Sequence, residues 1–247
     1  MAFRRLYGKE CRSIAPVFGV CALIIVILHF FILSKTNVWD DDVVFITSLF
    51  MPFLFVSMLA VGTGYYQLHS EWRTNSIYLL LSLPIRGWAV LVAKLSAVLT
   101  ALMLTLAVTG ISFAIILLHA IWPEFKESAE IFESFPLFLN LTANSFWIYT
   151  LLVCFVLVLI QFAYLCGQLV HRFKWLVVTG AFLAALRLVL RVSPLLSQLL
   201  LWLPDVYFGG ENYDVLYLHS GPFLVLLLFT IVLTWLNGYI FQKVVEV

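Results

Sequence analysis

Six apolar stretches, at about 14–34, 43–66, 88–118, 144–169, 174–192 and 221–241, run through this chain of 247 residues. Each is close to or beyond the about 20 apolar residues a helix needs to cross a hydrocarbon core about 30 Å thick. The predicted fold class is therefore an all-α integral membrane protein: six transmembrane helices making one transmembrane domain over 1–247. The composition agrees, with 64% of residues hydrophobic and 11% charged, where soluble domains carry about a quarter charged. Six spans leave no room for a soluble domain.

A basic head with Arg4, Arg5, Lys9 and Arg12 precedes the first run. A secretory signal peptide is the rival reading of that pattern. It is rejected because the run is too long for a signal h-region, no small-x-small pattern closes it, and five spans follow.

Lys and Arg residues in the short loops set the orientation. Arg4, Arg5, Lys9, Arg12, Arg73, Arg86, Lys94, Arg172, Lys174 and Lys243 fall on one side, against Lys35 and Lys126 on the other; Arg187 and Arg191 complete the total of 14. The bias predicts both termini in the cytosol, and residues 67–87 with them. Most acids fall opposite, but acids carry little weight in orientation. The net charge of +1 implies no nucleic-acid partner.

Phe3, Leu6, Tyr7, Cys11 and Ile14 recur at helical spacing while the basic residues fill the other face. This predicts an N-terminal interfacial helix lying flat on membrane lipid, or a basic anchor that only fixes topology. In the second span, Pro52, Gly62 and Gly64 predict a kink and a close helix contact. The third run, Ala89 to Leu118, would measure about 45 Å, so it should tilt or project into the cytosol, with Lys94 snorkelling at the inner interface.

In the outer loop 119–143, Glu124, Glu127, Glu130 and Glu133 repeat every three positions. They read as the solvated face of a short helix or as an antechamber for a cation or basic ligand. The sequon Asn140-Leu141-Thr142 carries no weight. Residues 192–208 are too apolar for a solvated loop and too short to cross twice, which predicts a re-entrant outer segment before span six. The alternative is a fifth span running on to Leu203.

Catalytic motifs such as H-E-x-x-H and G-x-S-x-G are missing, so the expectation is a non-catalytic protein. Cys11, Cys21, Cys154 and Cys166 form no C-x-x-C pair and read as small apolar residues, without disulfide or metal site. His29, His69, His119, His171 and His219 lie near span ends, where interfacial His is tolerated without function. Arg187 and Arg191 are four residues apart on one face of the fifth span. They either snorkel to phosphate or face the pathway and meet an anionic group of a substrate.

Residues 71–94 concentrate charge between two apolar runs. This block resembles the type 2 ABC transporter permeases, six-span subunits that pair with a separate ATPase. Glu71 stands at the family's acidic position, Leu79-Leu80-Leu81-Ser82-Leu83-Pro84 at its Leu-rich end, Arg86 at its basic position and Lys94 at its Lys. Asn75-Ser76 replaces the usual Gly-Thr pair, and Tyr78 stands where a second acid is common. The chain is most similar to the permeases of bacterial antimicrobial-peptide immunity exporters of the lantibiotic and bacitracin groups.

The resemblance implies a multi-pass subunit of a bacterial cell membrane in which the cytosolic block acts as a coupling helix between spans 2 and 3. Glu71, Trp72, Tyr78 and Arg86 would contact the ATPase, with Glu71 at the start of that helix. The implied partners are two ABC ATPase subunits, which bind ATP and Mg, and a second permease copy or paralogue. This chain lacks G-x-x-x-x-G-K-[ST] and has no P-loop of its own. Rival readings are an ion-coupled secondary transporter, which calls for buried acids, and a membrane scaffold. Substrate identity is not encoded legibly, since cavity walls and lipid-facing walls are both apolar.

Overall fold

The computed structural model describes residues 2–36, 38–74, 86–125, 130–170, 172–208 and 216–245; for residues 2, 41, 120–125, 130–138, 216 and 243–245 it describes the backbone alone. The helices are α1 (Ala2–Leu33), α2 (Asp41–Arg73), α3 (Gly87–Phe125), α4 (Glu130–Gln168), α5 (Lys174–Leu199) and α6 (Gly221–Val245). All six contain a stretch long and apolar enough to cross a membrane. At 1.5 Å per residue, the 39 residues of α3 and of α4 measure about 58 Å. Both therefore outreach a hydrocarbon core of about 30 Å.

Helix α1 lies along α3, and α2 packs on both α3 and α4. Helix α4 in turn holds α5 and α6, and α6 returns to touch α3. The core is filled by Phe18 and Ile25 of α1, Val56 and Ala60 of α2, Ala97 and Leu102 of α3, and Leu157 and Val158 of α4. Small residues let two of these backbones close up. A Cβ on Gly64 would stand 2.6 Å from Leu157 Cδ2, and one on Gly238 of α6 would stand 2.5 Å from Trp88 Cβ and 3.0 Å from Trp88 Cα. The close contact expected at Gly64 is thus present. Gly62 meets no described atom within 4 Å and borders a groove instead.

Two expectations are overturned. Residues 2–33 form one continuous helix, so there is no separate N-terminal interfacial helix. The reason is register: Leu6, Ile14 and Phe18 stay on one face and are buried by the bundle, not by lipid. The predicted re-entrant segment is also absent among the described residues. Helix α5 continues through Pro194 to Leu199 and is followed by strands β1 (Asp205–Phe208) and β2 (Leu216–His219). The strands pair antiparallel, Asp205 opposite His219 and Phe208 opposite Leu216. This hairpin is anchored to α4, where Asn144 Nδ2 donates to the Tyr207 carbonyl at 2.9 Å.

Of the helix expected between spans 2 and 3, residues 71–73 close α2 and Gly87 opens α3, while residues 75–85 lie outside the described residues. The loop predicted over 119–143 is largely helix, the end of α3 and the start of α4. Glu124, Glu130 and Glu133 lie in those helices, and Glu127 lies outside the described residues.

Candidate functional site

Where α1, α2 and α3 converge near the chain termini, three charged side chains are buried together. Lys94 is 1% exposed, Glu10 4% and Glu71 5%. Lys94 Nζ donates to Glu71 Oε1 at 2.7 Å and lies 3.0 Å from Glu10 Oε1. Gln67, one turn before Glu71 on the same face of α2, donates from Nε2 to Glu10 Oε2 at 3.3 Å. Lys9 reaches towards Glu10 from the surface, 3.8 Å from Oε1. Each of the three helices supplies one charge, so the cluster pins them to one another.

The surroundings keep water away. On the same three helices Leu6, Leu68, Val90 and Leu91 form a buried apolar cluster with Tyr164, Leu165 and Phe241. Trp72 stands edge-on to Tyr164 and Phe241, with ring centroids 5.6 Å and 5.8 Å apart. Desolvating an ion costs several kcal/mol, which the partner charge must offset. Two carboxylates share one ammonium here. Glu71 Oε2 has no hydrogen-bond partner among the described residues, and Glu10 Oε1 meets Lys94 without an aligned hydrogen bond.

This geometry revises the local reading of Glu71. It lies in the last turn of α2, not at the start of a following helix. The C-terminal end of a helix carries partial negative charge, so the dipole there disfavours a carboxylate. Lys94 supplies what the helix does not. Buried and paired, the Glu71 carboxylate is not presented to a docking surface, and Lys94 does not snorkel.

The other expected site residues are dispersed. Trp72 is half-buried in the aromatic packing, Arg86 is exposed immediately before α3, and Tyr78 lies outside the described residues. Arg187 and Arg191 are both exposed on α5 and do not point into the packed interior of this chain. Glu10 and Gln67 were missed. The available signal was Glu10 itself, an acid set between Leu6 and Ile14 on the apolar face of α1.

A second polar tie lies towards the hairpin end. His29, 3% exposed, places Nε2 2.9 Å from the Ser48 carbonyl and Nδ1 against Ser112 Oγ. Pro52 explains the first bond. Lacking an N–H, it leaves the carbonyl four residues earlier without its helical donor, and that carbonyl belongs to Ser48. The carbonyl can only accept, which puts the His29 hydrogen on Nε2 and leaves Nδ1 to accept from the Ser112 hydroxyl. His29 therefore bridges three helices and is not an idle interfacial histidine.

Between α2, α4 and α5 runs an apolar groove of about 400 Å³, bordered by Val61, Gly62, Tyr65, Ala163, Val178 and Phe182. Among the described residues, no group of three or more His, Cys, Asp or Glu side chains is placed to hold a metal ion. Comparison with protein-family models, with curated proteins and with solved structures finds no match to this chain.

Proposed function

We propose that this chain is the permease subunit of an ATP-driven ABC transporter of type 2, exporting a hydrophobic or amphipathic substrate such as an antimicrobial peptide from a bacterial cell. One observation carries the reading: the Glu10–Lys94–Glu71 cluster lies at the end of the bundle from which residues 75–85 connect α2 to α3. A partner pressing on that connection moves α1, α2 and α3 together, because their charges cannot separate without stranding a buried ion. Two ATPase subunits closing on ATP and Mg would supply the motion, and a second permease copy or paralogue would complete the pathway.

In this scheme Glu71 and Lys94 transmit force inside the permease. Contact with the ATPase falls to exposed groups flanking the connection, Arg73 and Arg86. The test is purification of the tagged chain from native membranes in mild detergent, followed by reconstitution. A stoichiometric ATPase and substrate-stimulated ATP hydrolysis are expected; a pure preparation that transports without any ATPase would refute the reading.

The buried carboxylates also favour a second reading, an ion-coupled transporter, since ionisable groups inside spans commonly mark ion pathways. Against it, both acids share a lysine and lie near the helix ends. Uptake or efflux in proteoliposomes driven by a pH or sodium gradient alone, without ATP, would select this reading over the first.

A further inference from the structure

The basic head of α1 holds a feature that neither reading uses. Arg5, Gly8, Lys9 and Arg12 recur every three or four residues and so share one helix face. With Arg4 they line a concave surface of about 610 Å³. All four cations are exposed. Glu10 is the one acid in residues 2–33; it is buried in the Lys94 cluster, and Lys9, 3.8 Å from its Oε1, stays exposed to the surface. The outward face is therefore cationic without an exposed acid on the same helix. At its middle, a Cβ on Gly8 would meet no described atom within 4 Å, so the floor of the depression is open.

The same face continues along the helix as Pro16, Gly19, Val20, Leu23 and Ile27, all of them exposed. From Pro16 to Ile27 the helix rises about 16 Å, about half of a hydrocarbon core of about 30 Å. A cationic depression thus leads directly into an apolar track as long as one leaflet.

We propose that this face of α1 binds one anionic phospholipid. Its phosphate rests over Gly8 between Lys9 and Arg12, its outer headgroup meets Arg4 and Arg5, and one acyl chain lies along Pro16 to Ile27. Clusters of basic residues beside a span attract anionic headgroups, and the guanidinium fork matches phosphate oxygens two at a time. A soluble phosphate would satisfy the cations and leave the apolar track unused, as would an acidic protein surface. The lipid is the occupant that uses both halves.

Native mass spectrometry of the full chain in mild detergent tests this, with titrations of phosphatidylglycerol, phosphatidylcholine and inorganic phosphate. One phosphatidylglycerol should bind at least about 10-fold more tightly than phosphatidylcholine, with affinity falling as salt rises. The pair Lys9→Gln with Arg12→Gln should lose at least about 10-fold for phosphatidylglycerol, while Arg172→Gln with Lys174→Gln, an equal charge change elsewhere, should not. Gly8→Leu keeps every charge but fills the depression, and should weaken binding too. Elution volume and helicity check folding, and if the paired Gln variant fails to fold, Gly8→Leu and the wild-type salt series decide. Equal binding of the two lipids overturns the proposal, as does indifference to Lys9 and Arg12. Displacement of the lipid by inorganic phosphate would mark a free-anion site instead. Variants that keep the lipid but lose an acidic protein partner would mark a docking surface.

Discussion

Replacing Lys94 by Met is the sharpest perturbation of the bundle, because it removes the one ammonium that two buried carboxylates share. Met matches the length of the Lys stem, so packing changes little and the loss is electrostatic. Breaking a buried ion pair by deleting one partner costs about 3–5 kcal/mol, since the surviving charge stays desolvated. Here Glu71 loses a 2.7 Å hydrogen bond and Glu10 a 3.0 Å ion contact, which places the expectation at the upper end. The magnitude corresponds to a fall in unfolding midpoint of roughly 10 °C or more. The four native free thiols, Cys11, Cys21, Cys154 and Cys166, permit a thermal assay with a thiol-reactive dye and no added label. The decisive companion is the triple variant Glu10→Gln, Glu71→Gln and Lys94→Met. Replacing a whole buried charge cluster by well-packed hydrophobic residues is often neutral or stabilising by about 1–4 kcal/mol; the two Gln side chains keep the shape without the stranded charge, so the triple should regain much of the stability lost by the single. A single variant within about 1 kcal/mol of wild type, or a triple as unstable as the single, would refute the claim that paired charge holds these helices together. Under the proposed transporter role, transport should behave differently from stability: the triple folds but lacks the clamp, and ATP hydrolysis by the partner ATPase should no longer follow substrate.

Three further outcomes are expected. His29→Phe strands the Ser48 carbonyl and should cost about 1–3 kcal/mol, much of it recovered when Pro52→Ala restores a helical donor to that carbonyl; a double-mutant cycle in which the two effects simply add would disprove the link. Phe173 opens α5 in the left-handed region at φ 56°, a conformation that costs a non-glycine residue roughly 1–2 kcal/mol, so Phe173→Gly should raise the unfolding midpoint and a fall would contradict the assigned turn. In a background without the native cysteines, a Cys at position 173 and one at position 201, both exposed in the wild type, should react with impermeant reagents from opposite sides of the membrane, the first from the cytosol; labelling from the same side would break the six-span topology.

The spans were legible because a bilayer reads chain length and apolarity directly, and little else is needed to place a crossing helix. Their ends were less so. The run from Val192 to Phe208 was expected to form a re-entrant segment, with a fifth span running on to Leu203 as the alternative, yet a proline inside a membrane helix is tolerated when neighbours or side chains satisfy the backbone, and the helix continues through Pro194 to Leu199. The hairpin beyond it hides in the short segments 205–208 and 216–219, too brief for periodicity to announce. At the candidate site, Glu71 and Lys94 stood out as charges at the edges of apolar runs, but their partnership did not. Helical spacing tells which face a residue occupies and not which helix will cover that face. Glu10 was overlooked for the same reason, submerged in a basic segment whose four cations looked like its whole meaning. His29 needed Pro52 to be understood, and the two are far apart in sequence.

The cluster also dictates a timetable for biogenesis. Glu10 enters the membrane assembly first, but Lys94 is synthesised 84 residues later, which at about 5–20 residues per second is a delay on the order of ten seconds. Through that interval α1 carries a carboxylate whose buried partner Lys94 does not yet exist, with Lys9 beside it, and His29 likewise waits for Ser48 and then Ser112. The first two helices therefore lack these two ties until α3 emerges. A nascent chain stopped before Lys94 should stay crosslinkable to the insertase, and one extended past Ser112 should be released as a three-helix unit.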